Sequence, residues 1–296
     1  MKPMIVRTVA AAAGTAALIA MAAASPALAA PASPARQARP AGAAPSVPVT
    51  YPGHPIIPAT GSQAKALALG RYQPAVESGN WAGYAATRRT FRAVQATFFV
   101  PYLNCGIGAA SGSRYSSHWV GLDGFSDHSV EQDGIEADCF GAKAVYHAWY
   151  EFFPKPETRI GLRVAAGQSV TASVSYNRSS QKFTLALADN TTRRHFRISL
   201  RCRVRCLRSS AEVISEAPTL VNGKGQLRLA SLADYGAAGY SGVSVTTAGG
   251  IRAGMYARDW STTKIIQVSQ QGSHPVVARP TTVHDHGFSV YWLRQS

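Results

Sequence analysis

Three short segments of the chain place acidic side chains inside apolar and aromatic runs that favour β-strands. The segments are residues 119–124, 147–154 and 210–216, and their acidic residues include Asp123, Glu151 and Glu216. An ionised carboxylate costs free energy to bury without a partner. Such residues therefore indicate strands that face solvent or a working cleft, and the three segments together predict a cleft lined by carboxylates.

The faces of these strands follow from their period of two. Side chains at positions i and i+2 lie on the same face of a strand, so Trp149, Glu151 and Phe153 share a face. Gln132 and Glu216 lie in two further strand-like runs. If these strands are neighbours in a sheet, Gln132, Glu151 and Glu216 point into one concave surface.

Most of the chain after residue 76 reads as strands separated by turns. Nine segments are short, often alternate, and are rich in β-branched or aromatic residues, with Gly, Asn, Asp, Ser and Pro between them. They are residues 90–100, 145–153, 169–176, 182–187, 194–200, 212–215, 244–247, 265–268 and 288–292. No segment has a sustained period of 3.6 residues. The sequence therefore predicts an all-β fold, either an antiparallel sandwich or a barrel.

The first 76 residues have a different composition. Lys2 and Arg7 precede an alanine-rich apolar stretch that ends in small residues, which is the order of a secretory signal peptide, placed at residues 1–29. The stretch is short and proline-rich sequence follows it, which disfavours a transmembrane anchor. Residues 30–76 are rich in Pro and Ala and contain no acidic residue, so we predict a pro-segment or a linker. Residues 77–296 then form one domain of a secreted, extracellular protein.

The chain carries a formal net charge of +15. Six of its 30 Lys and Arg residues precede Glu77, whereas all 15 acidic residues lie at or after it, so residues 77–296 keep a charge of +9. The arginines are scattered apart from one cluster between Arg193 and Arg208. This pattern favours a solvated basic hairpin over a nucleic-acid site. No stretch after the first is long and apolar enough to span a bilayer.

The four cysteines are Cys105, Cys139, Cys202 and Cys206. An even number in a secreted protein suggests two disulfides, for which three pairings are possible. Cys202 and Cys206 are close enough in sequence to close a tight turn, which would leave Cys105 to pair with Cys139. Because only His195 is near them in sequence and no Cys-x-x-Cys occurs, we expect no metal site.

Five segments resemble, in order, motifs of the glutamic peptidases, the eqolisin family of secreted acid endopeptidases. They are residues 78–84 (SGNWAGY), 119–124 (WVGLDG), 130–134 (VEQDG), 148–154 (AWYEFFP) and 211–216 (AEVISE). The third resembles the family segment that holds the catalytic glutamine, and the last resembles the segment whose final glutamate is catalytic. Order and spacing agree over residues 78–220, and the C-terminal part fits more loosely.

The resemblance implies a concanavalin A-like sandwich of two antiparallel sheets with a curved substrate-binding face. It makes Gln132 and Glu216 a catalytic dyad for attack of water on a peptide bond at acidic pH, with Glu216 as base and acid and Gln132 stabilising the oxyanion. The residues expected to line or support the cleft are Trp119, Asp123, Trp149, Glu151 and Phe153. No cofactor is required. The expected partners of this monomer are protein or peptide substrates, and neither nucleic acid nor membrane.

The chain departs from the fungal members that define the family, because it is basic where they are acidic and its cysteines lie elsewhere. Two alternatives stay open. One is a glycan-directed hydrolase, for which Glu136 and Asp138 have the spacing of a carboxylate pair; the other is a non-catalytic, lectin-like binding sandwich. The His-Asp-His run at residues 284–286 is interpreted as a polar turn rather than a metal clip.

Overall fold

A computed structural model of the chain describes residues 50–51, 56–57, 75–106, 112–222, 224–284 and 286–296. The predicted signal peptide, residues 1–29, and most of the segment at residues 30–76 lie outside the described residues. Those that are described belong to one compact unit, Val47–Ser296. Within them, no helix has the length and apolar character needed to cross a membrane.

The described residues form 19 strands. They are β1 Thr50–Tyr51, β2 Ala75–Ser78, β3 Trp81–Thr87, β4 Phe91–Phe99, β5 Ser117–Leu122, β6 Val130–Phe140, β7 Lys143–Phe153, β8 Thr158–Arg159, β9 Ser169–Asn177, β10 Lys182–Asp189, β11 Arg194–Leu200, β12 Ala211–Glu216, β13 Thr219–Val221, β14 Leu227–Leu229, β15 Ala237–Thr247, β16 Arg252–Ala253, β17 Ser261–Val268, β18 Val276–Pro280 and β19 Phe288–Trp292. Each of the nine strands predicted from the sequence overlaps one of these.

Sixteen of these strands form one sheet in the order β11-β10-β9-β4-β15-β19-β18-β17-β3-β12-β5-β6-β7-β8, with β16 beside β15 and β2 beside β17. The pairs are antiparallel except β2 with β17. The sheet folds over so that β4, β9 and β10 pack against β5, β6 and β12. The predicted sandwich is confirmed, and its two layers are halves of one continuous sheet. Strands β1, β13 and β14 form a second, small sheet.

Alternate residues of the strands divide between two apolar clusters. On β12, Val213 belongs to the main core between the layers, whereas Ile214 points to the other face. That other face carries a second cluster, which we call the tryptophan cluster. Its buried members are Trp81, Ala85, Trp119, Val130, Trp149, Ile214 and Ile265. Because Glu216 is two residues beyond Ile214 on the same strand, the period of two directs it to this second face.

Two glycines let the Trp119 side chain lie flat on the sheet. A Cβ atom on Gly134 would lie 2.6 Å from Cβ of Trp119 and 2.3 Å from the His118 carbonyl oxygen, and one on Gly121 would lie 2.9 Å from the Trp119 ring. The Trp119 ring in turn packs edge to face against Trp81, with 5.1 Å between the ring centroids. The glycines therefore fix the position of a side chain that borders the predicted cleft.

One disulfide ties a loop to the large sheet, and a second closes a turn. Cys105 pairs with Cys139 at the end of β6, and Cys202 pairs with Cys206 in the turn that follows β11. Strand β11 lies at the edge of the large sheet and is mostly exposed, so the arginine cluster falls on a solvated hairpin.

We predict that Gly134→Ala destabilises the domain by about 1–3 kcal/mol or more, because the new methyl group has no room beside Trp119 and the His118 carbonyl. Chemical denaturation followed by tryptophan fluorescence would measure the loss. Gly161→Ala is the matched control, since nothing lies within 4 Å of the added atom there. Equal midpoints for the two variants would contradict the packing argument.

Candidate active site

Strand β5 lies between β6 and β12 and determines how their side chains align. Gln132 on β6 pairs with Gly121, and Glu216 on β12 pairs with Ser117. The two side chains are therefore displaced by four positions along β5, with Trp119 midway between them. Glu151 on β7 lies directly opposite Gln132. The structure thus makes Gln132 and Glu151 cross-strand neighbours. One strand, β5, lies between the strands that carry Gln132 and Glu216.

The Glu216 carboxylate is fully buried, and each of its oxygens accepts a hydrogen bond. The Asn80 amide donates to Oε1 at 3.0 Å, and the Trp119 indole N–H donates to Oε2 at 2.8 Å. Asn80 is itself held by Ser78, whose hydroxyl donates to the Asn80 Oδ1 at 2.9 Å and accepts from its backbone N–H at 3.2 Å. Hydrogen bonds of this kind favour the charged form of a carboxylate and fix its direction.

Gln132 is oriented by Glu151. The Gln132 Nε2 donates to the Glu151 carboxyl at 2.5 Å, and both side chains are buried. Burial raises the pKa of Glu151 well above its usual range, the negative charge of Glu216 raises it further, and the hydrogen bond from Gln132 opposes these effects. Glu151 therefore holds its proton in acid.

Two more carboxyl groups lie on the same face of the sheet as Glu151 and Glu216, and we call these four groups the carboxyl row. Glu136 lies opposite Ser117, in the same register as Glu216, and Asp138 follows on the same face of β6. Burial raises the pKa of Glu136 well above its usual range, and the charge of Asp138 adds to the effect. Burial likewise raises the pKa of Asp138, to about 7. The pair considered for glycan chemistry thus lies beside Glu216 as buried carboxyl groups that hold protons in acid.

Asp123 supports the site from the end of β5. It adopts a left-handed backbone conformation with φ of 72°, and its carboxylate accepts the backbone N–H groups of Arg208 and Ser209 at 2.7 and 2.6 Å. Burial raises its pKa to about 7, against the effect of these hydrogen bonds. Asp123 therefore holds the segment that leads into β12.

The two aromatic residues predicted on β7 lie on the same face as Glu151. Trp149 is fully buried opposite Gly134 and belongs to the tryptophan cluster. Phe153 is half-buried and packs against that cluster. Both are therefore placed to contribute apolar surface beside the carboxyl row.

Sequence reasoning gave Asn80 no role, although it lies in the first of the five motifs. Its contact with Glu216 joins residues 136 positions apart, so the only local signal was an asparagine within a motif. Among the described residues, one group of three side chains has the spacing of metal ligands: Glu131, Cys202 and Cys206. Both sulfurs belong to a disulfide, so they do not serve as thiolate ligands. Of the run at residues 284–286, residue 285 lies outside the described residues.

Comparison with known proteins identifies the family. Residues 79–292 match the Peptidase A4 family. The chain belongs to the Peptidase A4 family. The match spans Asn80, Trp119, Gln132, Glu151 and Glu216 and confirms the resemblance to the glutamic peptidases. The chain is therefore a hydrolase of the glutamic peptidase type. The family match favours this assignment over a glycan-directed enzyme or a lectin-like module.

Solved structures of similar fold agree with the β-sandwich described above. The chain is similar to scytalido-glutamic peptidase, solved with a transition state analog inhibitor, at 24% identity and a TM-score of 0.61 over 73% of this chain and 98% of that one. It is similar to SCP-B, a member of the eqolisin family solved with the tripeptide Ala-Ile-His, at 23% identity and a TM-score of 0.58 over 73% and 98%. For aspergilloglutamic peptidase from Aspergillus niger the values are 20%, 0.50, 61% and 99%. The sequence matches no curated protein.

We predict that the domain is more stable in acid than at neutral pH. Burial raises the pKa of Asp123 and of Asp138 from the ordinary 3.8 to about 7. Because the folded state binds these protons more tightly, each contribution is complete below the ordinary pKa and is lost as pH rises to about 7. The slope is about 1.4 kcal/mol per pH unit for each group. Calorimetry is expected to give a higher unfolding midpoint at pH 4 than at pH 7.

Asp138→Asn replaces one of these titrating carboxyl groups with a neutral amide. It is expected to flatten the decline of the unfolding midpoint between pH 4 and pH 7. Asp259→Asn, at a half-buried aspartate outside the carboxyl row, serves as the matched control and should leave the decline unchanged. An unfolding midpoint that increases between pH 4 and pH 7 in the unmodified chain would contradict the prediction.

Proposed function

We propose that this protein is a secreted endopeptidase that hydrolyses peptide bonds in protein substrates at acidic pH through a dyad of Glu216 and Gln132. The observation that carries the proposal is the pair of hydrogen bonds from Asn80 and Trp119 to the two oxygens of the buried Glu216. A carboxylate held in this way can act as a base of fixed direction. The two disulfides and the leader-like N-terminal sequence support secretion.

In this mechanism Glu216 acts first as general base and then as general acid. Its carboxylate takes a proton from a water molecule while the water oxygen bonds to the scissile carbonyl carbon. The carbonyl oxygen becomes an oxyanion. When the tetrahedral intermediate collapses, Glu216 returns the proton to the leaving nitrogen, the C–N bond breaks, and the products are a carboxylic acid and an amine.

Gln132 supplies the electrostatic part of the mechanism. A glutamine amide carries two N–H donors, and the bond to Glu151 fixes the plane of this amide. The second N–H then has a defined direction and can donate to the oxyanion as charge develops on it. Glu151 acts as a positioning residue, because it acts on the substrate through Gln132.

Acidic pH suits this arrangement because of the neighbouring carboxyl groups. Burial raises the pKa of Glu136 and of Glu151, so both hold their protons in acid and add no negative charge beside Glu216. As pH approaches 7, Asp138, whose pKa burial raises to about 7, begins to ionise on the same face of β6, and the negative charge of the site increases. We therefore expect the activity to fall toward neutral pH.

The test is hydrolysis of an unfolded protein substrate from acidic to neutral pH, with pepstatin present to exclude pepsin-type contaminants. Glu216→Gln is expected to lower kcat by at least 10²-fold, roughly, because it removes the proton carrier. Gln132→Ala is expected to cost about 10²- to 10³-fold in kcat through loss of an oxyanion donor. Mass spectrometry would verify that all compared chains begin at the same residue.

Glu212→Gln is the matched control, since Glu212 lies on β12 four residues from Glu216 and is also fully buried. Burial raises the pKa of Glu212 well above its usual range, so a neutral amide replaces a carboxyl group that is neutral in acid, and the activity should be retained. Activity in Glu216→Gln equal to that of the unmodified, folded chain would overturn the proposed dyad.

A further inference from the structure

The segment at residues 193–208, which includes β11 and most of the loop before β12, carries a dense group of arginines. It contains seven arginines and no Lys, Asp or Glu. Neither of the two ion pairs that the structure shows among the described residues involves this segment. Six of its arginines are exposed, namely Arg193, Arg194, Arg197, Arg201, Arg203 and Arg205. Their positive charge therefore faces a partner from outside the chain.

Apolar side chains lie among these arginines at the surface. Leu200, Val204 and Leu207 are 38, 48 and 41% exposed, and they belong to the run Leu-Arg-Cys-Arg-Val-Arg-Cys-Leu-Arg at residues 200–208. The disulfide between Cys202 and Cys206 closes a turn with Val204 at its centre. The loop thus presents an apolar tip that is surrounded by positive charge.

The inner end of this loop is fixed to the domain. The side chain of Arg208, the seventh arginine, lies over the Tyr176 ring at 4.0 Å from its centroid, which is a cation–π contact. The backbone N–H groups of Arg208 and Ser209 donate to the Asp123 carboxylate at 2.7 and 2.6 Å. Because the loop is already held by these contacts and by its disulfide, little conformational entropy is lost when its outer face binds a partner.

The mixture of side chains favours one kind of anionic partner. Guanidinium groups donate paired hydrogen bonds to phosphate, which both nucleic acids and phospholipids offer. A single-stranded nucleic acid also needs aromatic rings on which its bases stack, but Phe196 is half-buried and already stacks on Tyr150 with 5.7 Å between the centroids. Exposed aliphatic side chains beside arginines instead match the interface of a bilayer, where phosphates lie next to acyl chains.

We propose that residues 193–208 form a docking surface for a bilayer of anionic phospholipids. The arginines bind headgroup phosphates, and Leu200, Val204 and Leu207 enter the upper part of the acyl layer. The sequence-based expectation of no membrane partner considered only stretches long enough to span a bilayer, whereas this surface binds from one side. The docking surface contains neither Glu216 nor Gln132, so it is independent of the proposed peptidase mechanism.

The test is sedimentation of the protein with phosphatidylcholine vesicles that contain about 30% phosphatidylglycerol, compared with vesicles of phosphatidylcholine alone. Mass spectrometry would verify that all compared chains begin at the same residue. In about 0.1 M salt we expect a partition coefficient at least tenfold, roughly, higher for the anionic vesicles. In about 1 M salt this preference should largely disappear, because the salt screens the charges. Equal partition into both kinds of vesicle at the lower salt would overturn the proposal.

A pair of double variants tests the arginines. Arg203→Gln with Arg205→Gln removes two charges beside the apolar tip and is expected to lower the partition coefficient at least tenfold, since each arginine near an anionic surface contributes about fivefold. Arg163→Gln with Arg294→Gln, at exposed arginines outside the segment, is the matched control with the same net charge and should stay within about twofold of the unmodified chain. Equal losses in the two double variants would show that net charge alone governs binding, and would overturn the docking surface.

A second pair of variants tests the apolar tip. Val204→Ser is expected to lower the partition coefficient about threefold or more, because less apolar surface leaves water. Ile251→Ser, at an isoleucine of similar exposure outside the segment, is the matched control and should bind as the unmodified chain does. Because both side chains are exposed, circular dichroism should be the same for all chains. Unchanged binding of Val204→Ser would overturn the insertion of the tip.

A single-stranded oligonucleotide serves as the competing partner in the same buffer. A chain that binds the oligonucleotide but does not sediment with anionic vesicles would assign the arginines to a nucleic acid and overturn the proposal. Glu216→Gln is expected to bind the vesicles as the unmodified chain does, whatever its effect on hydrolysis. A failure of the proposed dyad is therefore distinguishable from a failure of the docking surface.

Discussion

A buried carboxylate whose two oxygens are held by donors from two flanking elements is the interaction on which the rest of the site depends. Glu216 lies at the end of β12, Asn80 lies at the turn before β3, and Trp119 lies on β5. Since β3 and β5 are the two neighbours of β12, both hydrogen bonds require both strand pairs to be in register. Burying a charge without such partners would cost several kcal/mol, so the site and the register of the sheet stabilise each other.

The same constraint accounts for the packing around Glu216. The Trp119 indole must lie across the sheet to reach the carboxylate, and Gly121 and Gly134 leave the space for it. On the other side of Trp119, Glu151 fixes Gln132. The indole therefore lies between the proposed base and the proposed oxyanion donor.

The sequence predicts the strands better than it predicts their order. The alternation in residues 145–153 correctly assigns the face of β7 on which Glu151 lies, and that in residues 211–216 does the same for Glu216 on β12. Both assignments succeed because the period of two is local. It does not reveal β3, whose Ala and Gly residues lack the β-branched signal of a strand. It also does not reveal that β5 intervenes between β6 and β12, because strand order arises from contacts distant in sequence.

The environment of the carboxyl groups was also beyond the sequence. Acidic residues on strands suggested exposure to solvent or to an open cleft, whereas Glu136, Glu151 and Glu216 are buried in the intact chain. For Glu216, part of this burial comes from Asn80, whose amide N–H donates to the carboxylate while its oxygen accepts from the Ile57 N–H. Five motifs in order nevertheless led to the correct family, because they keep the residues that these contacts require.

The central claim is that Glu216 and Gln132 together bind the tetrahedral centre formed by attack of water on a peptide bond. A crystal structure of the protein with a peptide that carries a hydroxyl group on a tetrahedral carbon at the scissile position tests this most directly. We expect the Glu216 carboxylate and the Gln132 amide each to lie within about 3 Å of that oxygen-bearing centre. A bound analogue whose tetrahedral centre contacts neither side chain would contradict the account.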